Sequence, residues 1–378
     1  MTNSTPPTLT LAPQKSFSMN WWQRFLHKPV LIKLSHWEYW SMNTVYALVY
    51  PVFAWLCVRS GFKFFITASN PKIANGGFLL ESKKEIYDQL PGHLHPKTLL
   101  FAGGTPASQV INAIKQANLS YPLMAKPDIG MRGLAAKKIE NEEDIIKYIP
   151  HYTINFLVQE FVSLENELGI FYYRYPGDDK GHISGIVAKE FLMVLGDGHS
   201  TLLQLLQKDK RYVLQIPALQ KEYNDEMNEI PKAGEKKLLV PYGNHARGAK
   251  FLDYTHLIDE ELTNTIDAIS RQVPDFYFGR LDLRYNTWEE LKKGKNISII
   301  ELNGAGSEPT HIYDPKHSIF FAWKEIVRHW ILLWRISHMN HKRGHSYMSM
   351  REGMQMFKDN NAYTKRLEEV HNNLLHSA

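Results

Sequence analysis

The chain has 378 residues, with 44 Lys and Arg against 39 Asp and Glu, which gives a formal net charge of +5 at pH 7. Its 44% hydrophobic and 22% charged residues, with 23 glycines and 19 prolines, are typical of a globular protein and exclude a disordered, collagenous or coiled-coil chain. The mild basicity favours anionic ligands without indicating nucleic acid, and a single cysteine, Cys57, predicts a reducing, cytoplasmic location.

Residues 1–35 are predicted to be disordered or peripheral, because the chain opens on a polar, proline-bearing stretch without a secretory signal. A run of twenty uncharged residues follows between Glu38 and Arg59. Its length would just span a bilayer, but its polar residues and its proline lower its hydropathy. Three interpretations stay open: a buried or interdomain helix, an interfacial membrane contact and a membrane span.

Residues 36–120 are predicted to form a small α/β lobe that carries this hydrophobic segment. The spacing predicts a strand at 62–68, a helix at 82–90, a strand at 97–101 and a helix at 106–118. Tryptophans concentrate near both ends of the chain, which indicates one aromatic-rich face, either as core or as a surface for a lipid.

The segment 121–140 (YPLMAKPDIGMRGLAAKKIE) carries the first chemical signal. A strand delivers Lys126 to a loop with Gly130 and Gly133, and a second strand brings Lys137 and Lys138. Glycines let backbone amides close around phosphate oxygens, and lysines neutralise their charge. The alternative is a hairpin with solvated lysines.

The segment 156–173 (FLVQEFVSLENELGIFYY) is predicted to form two strands joined by an acidic link. The backbone from Glu160 to Val162 could contact a flat heterocycle, and Glu167 could accept hydrogen bonds from ribose hydroxyls. An ordinary β-pair with exposed acids is the alternative.

The strongest signal combines FGRLDLRY (278–285) with SIIELNGAGSEP (298–309). Two antiparallel strands would group Asp282, Glu301 and Asn303, because residues two apart point to the same face. Such oxygen ligands suit Mg²⁺ holding substrate phosphates, and Arg280 could stabilise a transferring phosphoryl group. Salt bridges between neighbouring strands are the alternative.

Taken in order, these segments resemble the ATP-grasp superfamily, particularly its carboxylate–amine ligases of the D-alanine ligase, glutathione synthetase and cyanophycin synthetase type. The resemblance covers about residues 95–315. GDGHSTLLQLL (196–206) and NHARGAKFLD (244–253) are similar to segments of cyanophycin synthetase relatives. The resemblance implies an α+β fold in which two α/β lobes hold ATP between antiparallel sheets. The small α/β lobe precedes these lobes, and a C-terminal helical extension follows them.

The resemblance also implies roles for individual residues. Lys126 and Arg280 are implied to be catalytic, and Asp282, Glu301 and Asn303 to bind Mg²⁺, with Mn²⁺ as an alternative. The residues implied to bind ATP are Lys126, Gly130, Arg132, Gly133, Lys138, Glu160, Val162, Glu167 and Arg247.

The implied activity is an ADP-forming ligase that makes an amide bond through an acyl phosphate, with a small carboxylate and an amine as substrates. Two alternatives are a phosphotransferase acting on a small or lipid-like acceptor and a nucleotide-binding module without turnover. The predicted domains are 1–35, 36–120, the ATP-grasp domain 121–315 and the helical extension 316–378. A homodimer and peripheral membrane contact are further expectations, and no nucleic-acid partner is expected.

Overall fold

A computed structural model describes residues 28–131, 133–240, 243, 245 and 248–377. The chain divides into two compact units, each assembled from separated stretches of sequence. The smaller unit contains the described residues up to 47 together with 189–252 and 313–322, and the larger contains 48–188, 253–312 and the residues from 323 onward. The domain limits predicted from the sequence stay a prediction, and the predicted N-terminal disorder lies largely outside the described residues.

The chain alternates short helices and strands before it ends in two long helices. The helices are α1 (Pro29–Ser35), α2 (Met42–Tyr46), α3 (Tyr50–Arg59), α4 (Lys83–Tyr87), α5 (Ala107–Gln116), α6 (Glu142–Tyr148), α7 (Leu202–Gln207), α8 (Lys210–Val213), α9 (Ile216–Tyr223), α10 (Glu260–Ser270), α11 (Trp288–Lys292), α12 (Ile319–Lys342) and α13 (Met350–His376). The strands are β1 (Thr98–Phe101), β2 (Leu123–Pro127), β3 (Lys137–Ile139), β4 (Phe156–Glu160), β5 (Asn166–Tyr173), β6 (His182–Glu190), β7 (Leu192–Leu195), β8 (Lys236–Val240), β9 (Lys250–Asp253), β10 (Phe278–Tyr285) and β11 (Ile297–Asn303).

A four-stranded antiparallel sheet in the larger unit has the order β1-β4-β2-β3. Alternate residues of β2 are buried, so Leu123 and Ala125 pack into a core on one face while Lys126 belongs to the other. Leu367, Val370 and Leu374 of α13 complete that core. The Tyr363 hydroxyl of α13 also donates to the Ile129 carbonyl at 2.7 Å, so the last helix holds the loop that follows β2.

The second sheet of the larger unit contains β11-β10-β5-β6 in that order, and the pairs β11–β10, β10–β5 and β5–β6 are antiparallel. Strand β10 is therefore central and receives neighbours on both sides. The strands predicted within 156–173 are confirmed, but β4 and β5 belong to different sheets. The link at 161–165 carries the chain from one sheet to the other. The smaller unit holds the antiparallel pair β7–β8, whose core includes Leu192, Leu202 and Leu239.

The uncharged run after Glu38 forms short pieces of helix, including α2 and α3. Among the described residues, no helix is both long and apolar enough to cross a membrane. The strand predicted at 62–68 is wrong, because a 3-10 helix covers Phe65–Ala68. Hydroxyl groups of Thr67 and Ser69 donate to backbone carbonyls three residues earlier, which stabilises a turn.

The architecture confirms the predicted α+β class with antiparallel sheets and a helical C-terminal region. The predicted helices at 82–90 and 106–118 correspond to α4 and α5. The side chain of Ser82 caps α4 by accepting from the amide of Glu85.

Candidate functional site

Strand β10 and strand β11 bring the predicted metal ligands together. Asp282 lies directly opposite Glu301, and Arg280 lies directly opposite Asn303, in an antiparallel register. Leu281 of β10 is fully buried, so the alternation of the strand places Arg280 and Asp282 on the opposite face.

Arg280 and Asp282 form an ion pair with two contacts. The Nε and Nη2 atoms of Arg280 each donate to a carboxylate oxygen of Asp282 at 2.9 Å, and Nη1 donates to the Glu308 carbonyl at 3.3 Å. Asp282 is only 2% exposed. This pairing is the salt-bridge alternative that the sequence left open, except that both partners belong to the same strand.

Glu301 faces a cation that the sequence analysis missed. The Nζ atom of Lys83, the first residue of α4, lies 2.9 Å from Glu301 Oε1. Burial raises the pKa of Glu301, but the positive charges of Lys83 and then of Lys126 outweigh this effect and lower the pKa to about 2. A lysine at the start of a short capped helix carries no chemical signal in the sequence, so only the fold reveals its position.

Asp128 docks α4 beside β2. Its carboxylate accepts from the Ser82 hydroxyl at 3.0 Å and from the Lys84 amide at 2.9 Å, and its carbonyl accepts from the Lys83 amide at 3.2 Å. The N-terminal turn of α4 is therefore tied to the residue that follows β2, which fixes the position of Lys83.

Lys126 completes the group of cations. Its Nζ atom donates to the Tyr87 hydroxyl at 3.0 Å and to the Ile300 carbonyl at 3.3 Å. Burial and then the neighbouring charge of Lys83 lower the pKa of Lys126 to about 7. Lys83, Lys126 and Arg280 thus lie around Asp282 and Glu301, while the carboxylates of Glu81 and Asp128 also act on Lys83. Cations that turn away from these carboxylates could contact a multiply charged anion.

The face of the four-stranded sheet that carries Lys126 also carries Lys138 and Gln159, because Lys138 and Gln159 both lie opposite Met124, two residues before Lys126. Lys138 pairs with Glu140 at 2.7 Å. Gln159 is 4% exposed, and its Oε1 atom has no hydrogen-bond partner in the described part of the chain. The sequence analysis missed Gln159, although the alternation of β4 places it on this face.

The residues predicted to contact adenine and ribose have protein partners. The exposed Glu160 accepts from the Lys97 amide at 2.8 Å. The Val162 carbonyl accepts from Arg284 at 3.5 Å, and the buried Glu167 lies 3.4 Å from Arg284 Nη2 across the β5–β10 pair. Their roles towards a nucleotide stay predictions.

Gly130 and Gly133 lie in the loop between β2 and β3, as predicted. Gly133 has a φ of +73°, a conformation that a side chain disfavours, and a Cβ at Gly130 would lie 3.4 Å from Lys83 Nζ. Arg132 and Arg247 lie outside the described residues.

The side-chain oxygens of Asp282, Glu301 and Asn303 fit a divalent cation in their chemistry, since carboxylate and amide oxygens are hard ligands. The described residues contain no group of three His, Cys, Asp or Glu that could hold a metal ion. Carboxylate and amide oxygens of this kind suit Mg²⁺ that also binds substrate phosphates and water, which is its usual manner of binding.

No family model matches the chain, and no curated protein matches it. Among solved structures, it is similar to a bifunctional glutathione synthetase from Pasteurella multocida, with 14% identity, a TM-score of 0.36 and coverage of 65% of this chain and 35% of that one. It is similar to VanG D-Ala:D-Ser ligase from Enterococcus faecalis, with 16% identity, a TM-score of 0.37 and coverage of 67% and 61%. It is also similar to a D-alanine–D-alanine ligase from Bacillus anthracis, with 11% identity, a TM-score of 0.37 and coverage of 70% of this chain and 69% of that one.

The chain thus spans about a third of the length of the first of these proteins and less than two thirds of the second. All three bear the names of ligases or synthetases. The roles of individual residues rest on the geometry of this chain.

Proposed function

We propose that the chain is an ATP-dependent carboxylate–amine ligase that releases ADP and forms an amide or peptide bond through an acyl phosphate. The observation that carries the proposal is the pair Asp282 and Glu301, which lie directly opposite each other on neighbouring strands. Arg280 contacts the carboxylate of Asp282, and Lys83 contacts that of Glu301. This arrangement offers a place for a divalent cation and for the triphosphate that accompanies it. The sequence resemblance to carboxylate–amine ligases supports the choice of reaction.

In the proposed reaction, an oxygen of the carboxylate substrate attacks the γ-phosphorus of ATP, and the bond to the β–γ bridging oxygen breaks to release ADP. The amine nitrogen then attacks the carbonyl carbon of the acyl phosphate. Phosphate leaves, and the nitrogen loses a proton. The chain's own contribution is to orient the reactants and to stabilise the charge that gathers on the transferred group.

Lys126 binds phosphate oxygens in this proposal, and Arg280 stabilises the transferring phosphoryl group. The loop with Gly130 and Gly133 covers the phosphates and excludes water, which would otherwise hydrolyse the acyl phosphate. Asp282, Glu301 and Asn303 would hold Mg²⁺, which when bound neutralises charge on the phosphates. The unpaired Oε1 of Gln159 offers an acceptor to the amino group of adenine.

The test is ADP release from ATP and Mg²⁺ in the presence of pooled carboxylic acids and pooled amines. The proposal expects release that needs one acid and one amine. The variant Glu301→Ala should lose turnover and, because Lys83 loses its partner, should melt at a lower temperature while still unfolding cooperatively. Glu85→Gln, which changes an exposed carboxylate on α4, serves as the matched control and should keep full activity.

Other outcomes distinguish the alternative functions. ADP release with a single acceptor and no amine would identify a phosphotransferase. ATP binding without release in any pool would indicate a binding module, and normal turnover in Glu301→Ala would contradict the assignment of the metal ligands. The homodimer and the absence of a nucleic-acid partner stay predictions.

A further inference from the structure

Helix α3 is apolar on both of its faces. On the inner face, Leu56 is 1% exposed and packs with Val52 and Phe53 in a core cluster of the larger unit. On the outer face, Trp55 and Val58 are 53% and 49% exposed. A helix that is hydrophobic all round is normally buried in a core or in lipid, so its outer face needs an explanation.

The exposed apolar residues continue beyond both ends of α3. Leu48 is 68% exposed and Phe62 is 67% exposed. We call Leu48, Trp55, Val58 and Phe62 the apolar ridge. Within α3, Trp55 and Val58 share one side with the exposed Pro51, because they follow it at helical spacing, and Leu48 and Phe62 lie in the turns just beyond the two ends of the helix. Isolated surface hydrophobic residues are ordinary, but a row of this kind marks a contact surface.

Cations border this ridge. The guanidinium of Arg59 lies between the rings of Trp55 and Trp334, 4.9 and 4.6 Å from their centroids. Trp334 in turn stacks on His338 at 5.2 Å. Burial and then the positive charges of Lys342, His341 and Arg59 lower the pKa of His338, so all three cationic side chains lie near the His338 ring.

Two segments, 48–80 and 326–351, contain no acidic residue, although Glu81, Glu325 and Glu352 directly adjoin them. The same segments contain eight Lys or Arg residues: Arg59, Lys63, Lys72, Arg328, Arg335, Lys342, Arg343 and Arg351. We call Arg59, Lys63 and Lys342 the cationic border; all three are exposed. An exposed apolar row with tryptophan at its centre and cations at its edge matches the boundary between acyl chains and anionic headgroups.

A second copy of the chain fits this surface less well. Two copies that met ridge to ridge would bring two cationic borders together, and the chain has a net charge of +5. Like charges at such a contact repel, whereas anionic lipid headgroups attract them.

We propose that the apolar ridge and its cationic border bind the chain to the surface of an anionic lipid bilayer, with the ridge in the boundary between headgroups and acyl chains. This contact is interfacial and does not cross the bilayer. It is independent of the proposed ligase activity, because none of its residues belongs to the candidate site.

The test is co-sedimentation of the full chain with vesicles of phosphatidylcholine alone or of phosphatidylcholine with phosphatidylglycerol. We expect binding to the anionic vesicles that weakens as salt rises. The triple variant Trp55→Ser, Val58→Ser and Phe62→Ser should need about tenfold more lipid for half-binding, and Arg59→Gln with Lys342→Gln should remove the preference for anionic vesicles.

The matched control is Ile146→Ser, which changes a residue of α6 in the same unit that is 60% exposed. It should bind vesicles as the parent does. Melting temperatures of all variants verify that they fold. The proposal is overturned by absence of sedimentation with anionic vesicles, by equal binding of the triple variant, or by lipid-free self-association that the triple variant abolishes, which would identify a second copy as the occupant.

Discussion

Lys83 and Arg280 contact the same carboxylates that we propose to hold a divalent cation. When Asp282 and Glu301 hold Mg²⁺, Lys83 and Arg280 would give up these contacts and would bind the phosphates of ATP instead. A buried ion pair contributes little net stability, because desolvation offsets much of its attraction. Such pairs can be exchanged for ligand contacts without a large loss of stability.

The lowered pKa of Lys126 predicts a pH dependence for ATP binding. With a pKa of about 7, Lys126 is charged below that pH in the free protein and increasingly neutral above it. A triphosphate stabilises the charged form and raises this pKa, so binding takes up a proton above pH 7. We expect ATP affinity to fall by up to about tenfold per pH unit between about pH 7 and about pH 9, where phosphate is already ionised.

Calorimetric titrations in buffers with different heats of ionisation measure this proton uptake directly. Lys126→Met should bind ATP more weakly and without the pH dependence, whereas Lys147→Met, which changes an exposed lysine on α6, should behave as the parent does. An affinity that does not change over this range in the parent protein would contradict the prediction.

The residues that could be predicted from the sequence are those for which alternation along a strand is sufficient. Arg280 and Asp282 are two apart, as are Glu301 and Asn303, and the structure places both pairs on neighbouring strands. Lys83 could not be predicted, because its place depends on Asp128 docking α4 next to β2. Tertiary contacts of this kind have no local signature.

At the scale of elements, the approach of β5 to β10 leaves no room for a side chain at Gly169. This glycine lies directly opposite Asp282, and a Cβ there would lie 2.8 Å from Asp282 Oδ1 and 3.0 Å from Arg280 Cδ. The absence of a side chain in β5 therefore lets the carboxylate and guanidinium lie flat against the sheet.

The variant Gly169→Ala should consequently displace Asp282 and Arg280. We expect ATP turnover to fall about a hundredfold, since small misplacements of reacting groups are costly, with a loss of about 1 to 3 kcal/mol of stability from overpacking. Steady-state kinetics and urea unfolding measure the two effects. Gly92→Ala is the control, because a Cβ at Gly92 meets nothing within 4 Å; equal effects of the two substitutions would refute the argument.

Strands β1 to β5, β10 and β11 and helices α4 and α5 could be predicted from periodicity and from proline and glycine positions, whereas the sequence patterns led to no prediction for β6 to β9 or for most of the helices. The assignment of β4 and β5 to different sheets could not, because both strands are apolar and the link between them is short enough for a hairpin. The 3-10 helix at Phe65–Ala68 also escaped prediction, since its aromatic and β-branched residues favour a strand. Local hydroxyl contacts and the Asn340 side chain, which donates to the Ala68 carbonyl at 2.9 Å, override that preference.

At the scale of the whole molecule, a buried ion pair joins distant parts of the sequence within the smaller unit. Arg211 of α8 lies 2.8 Å from Glu38, and their side chains are 8% and 6% exposed. His245 Nε2 lies 3.5 Å from the same carboxylate oxygen. Burial raises the pKa of Glu38, but the nearby His245 ring and the charge of Arg211 together lower it below its ordinary value.

Replacing Glu38 by Gln should leave Arg211 buried without a counter-charge, at a loss of about 3 to 5 kcal/mol of stability. Because the folded-state pKa of Glu38 is lowered, its stabilisation is present above the ordinary glutamate pKa and disappears as the pH falls through the lowered value. Urea unfolding at neutral and acidic pH measures both effects. Glu229→Gln, which removes an exposed pair with Lys237, is the control, and an equal loss in the two variants would contradict the role of burial.

The smaller unit is assembled from three stretches of the chain, and this has a consequence during synthesis. Residues 28–47 leave the ribosome well before their last partners, at 313–322, which follow only after roughly 15 to 55 s at ordinary rates of translation. Throughout that interval, the apolar side chains of residues 28–47 lack the rest of the unit against which they pack in the finished protein. We therefore expect newly made protein to need protection by a chaperone during this delay, and slower translation before residue 313 would lengthen the period of dependence.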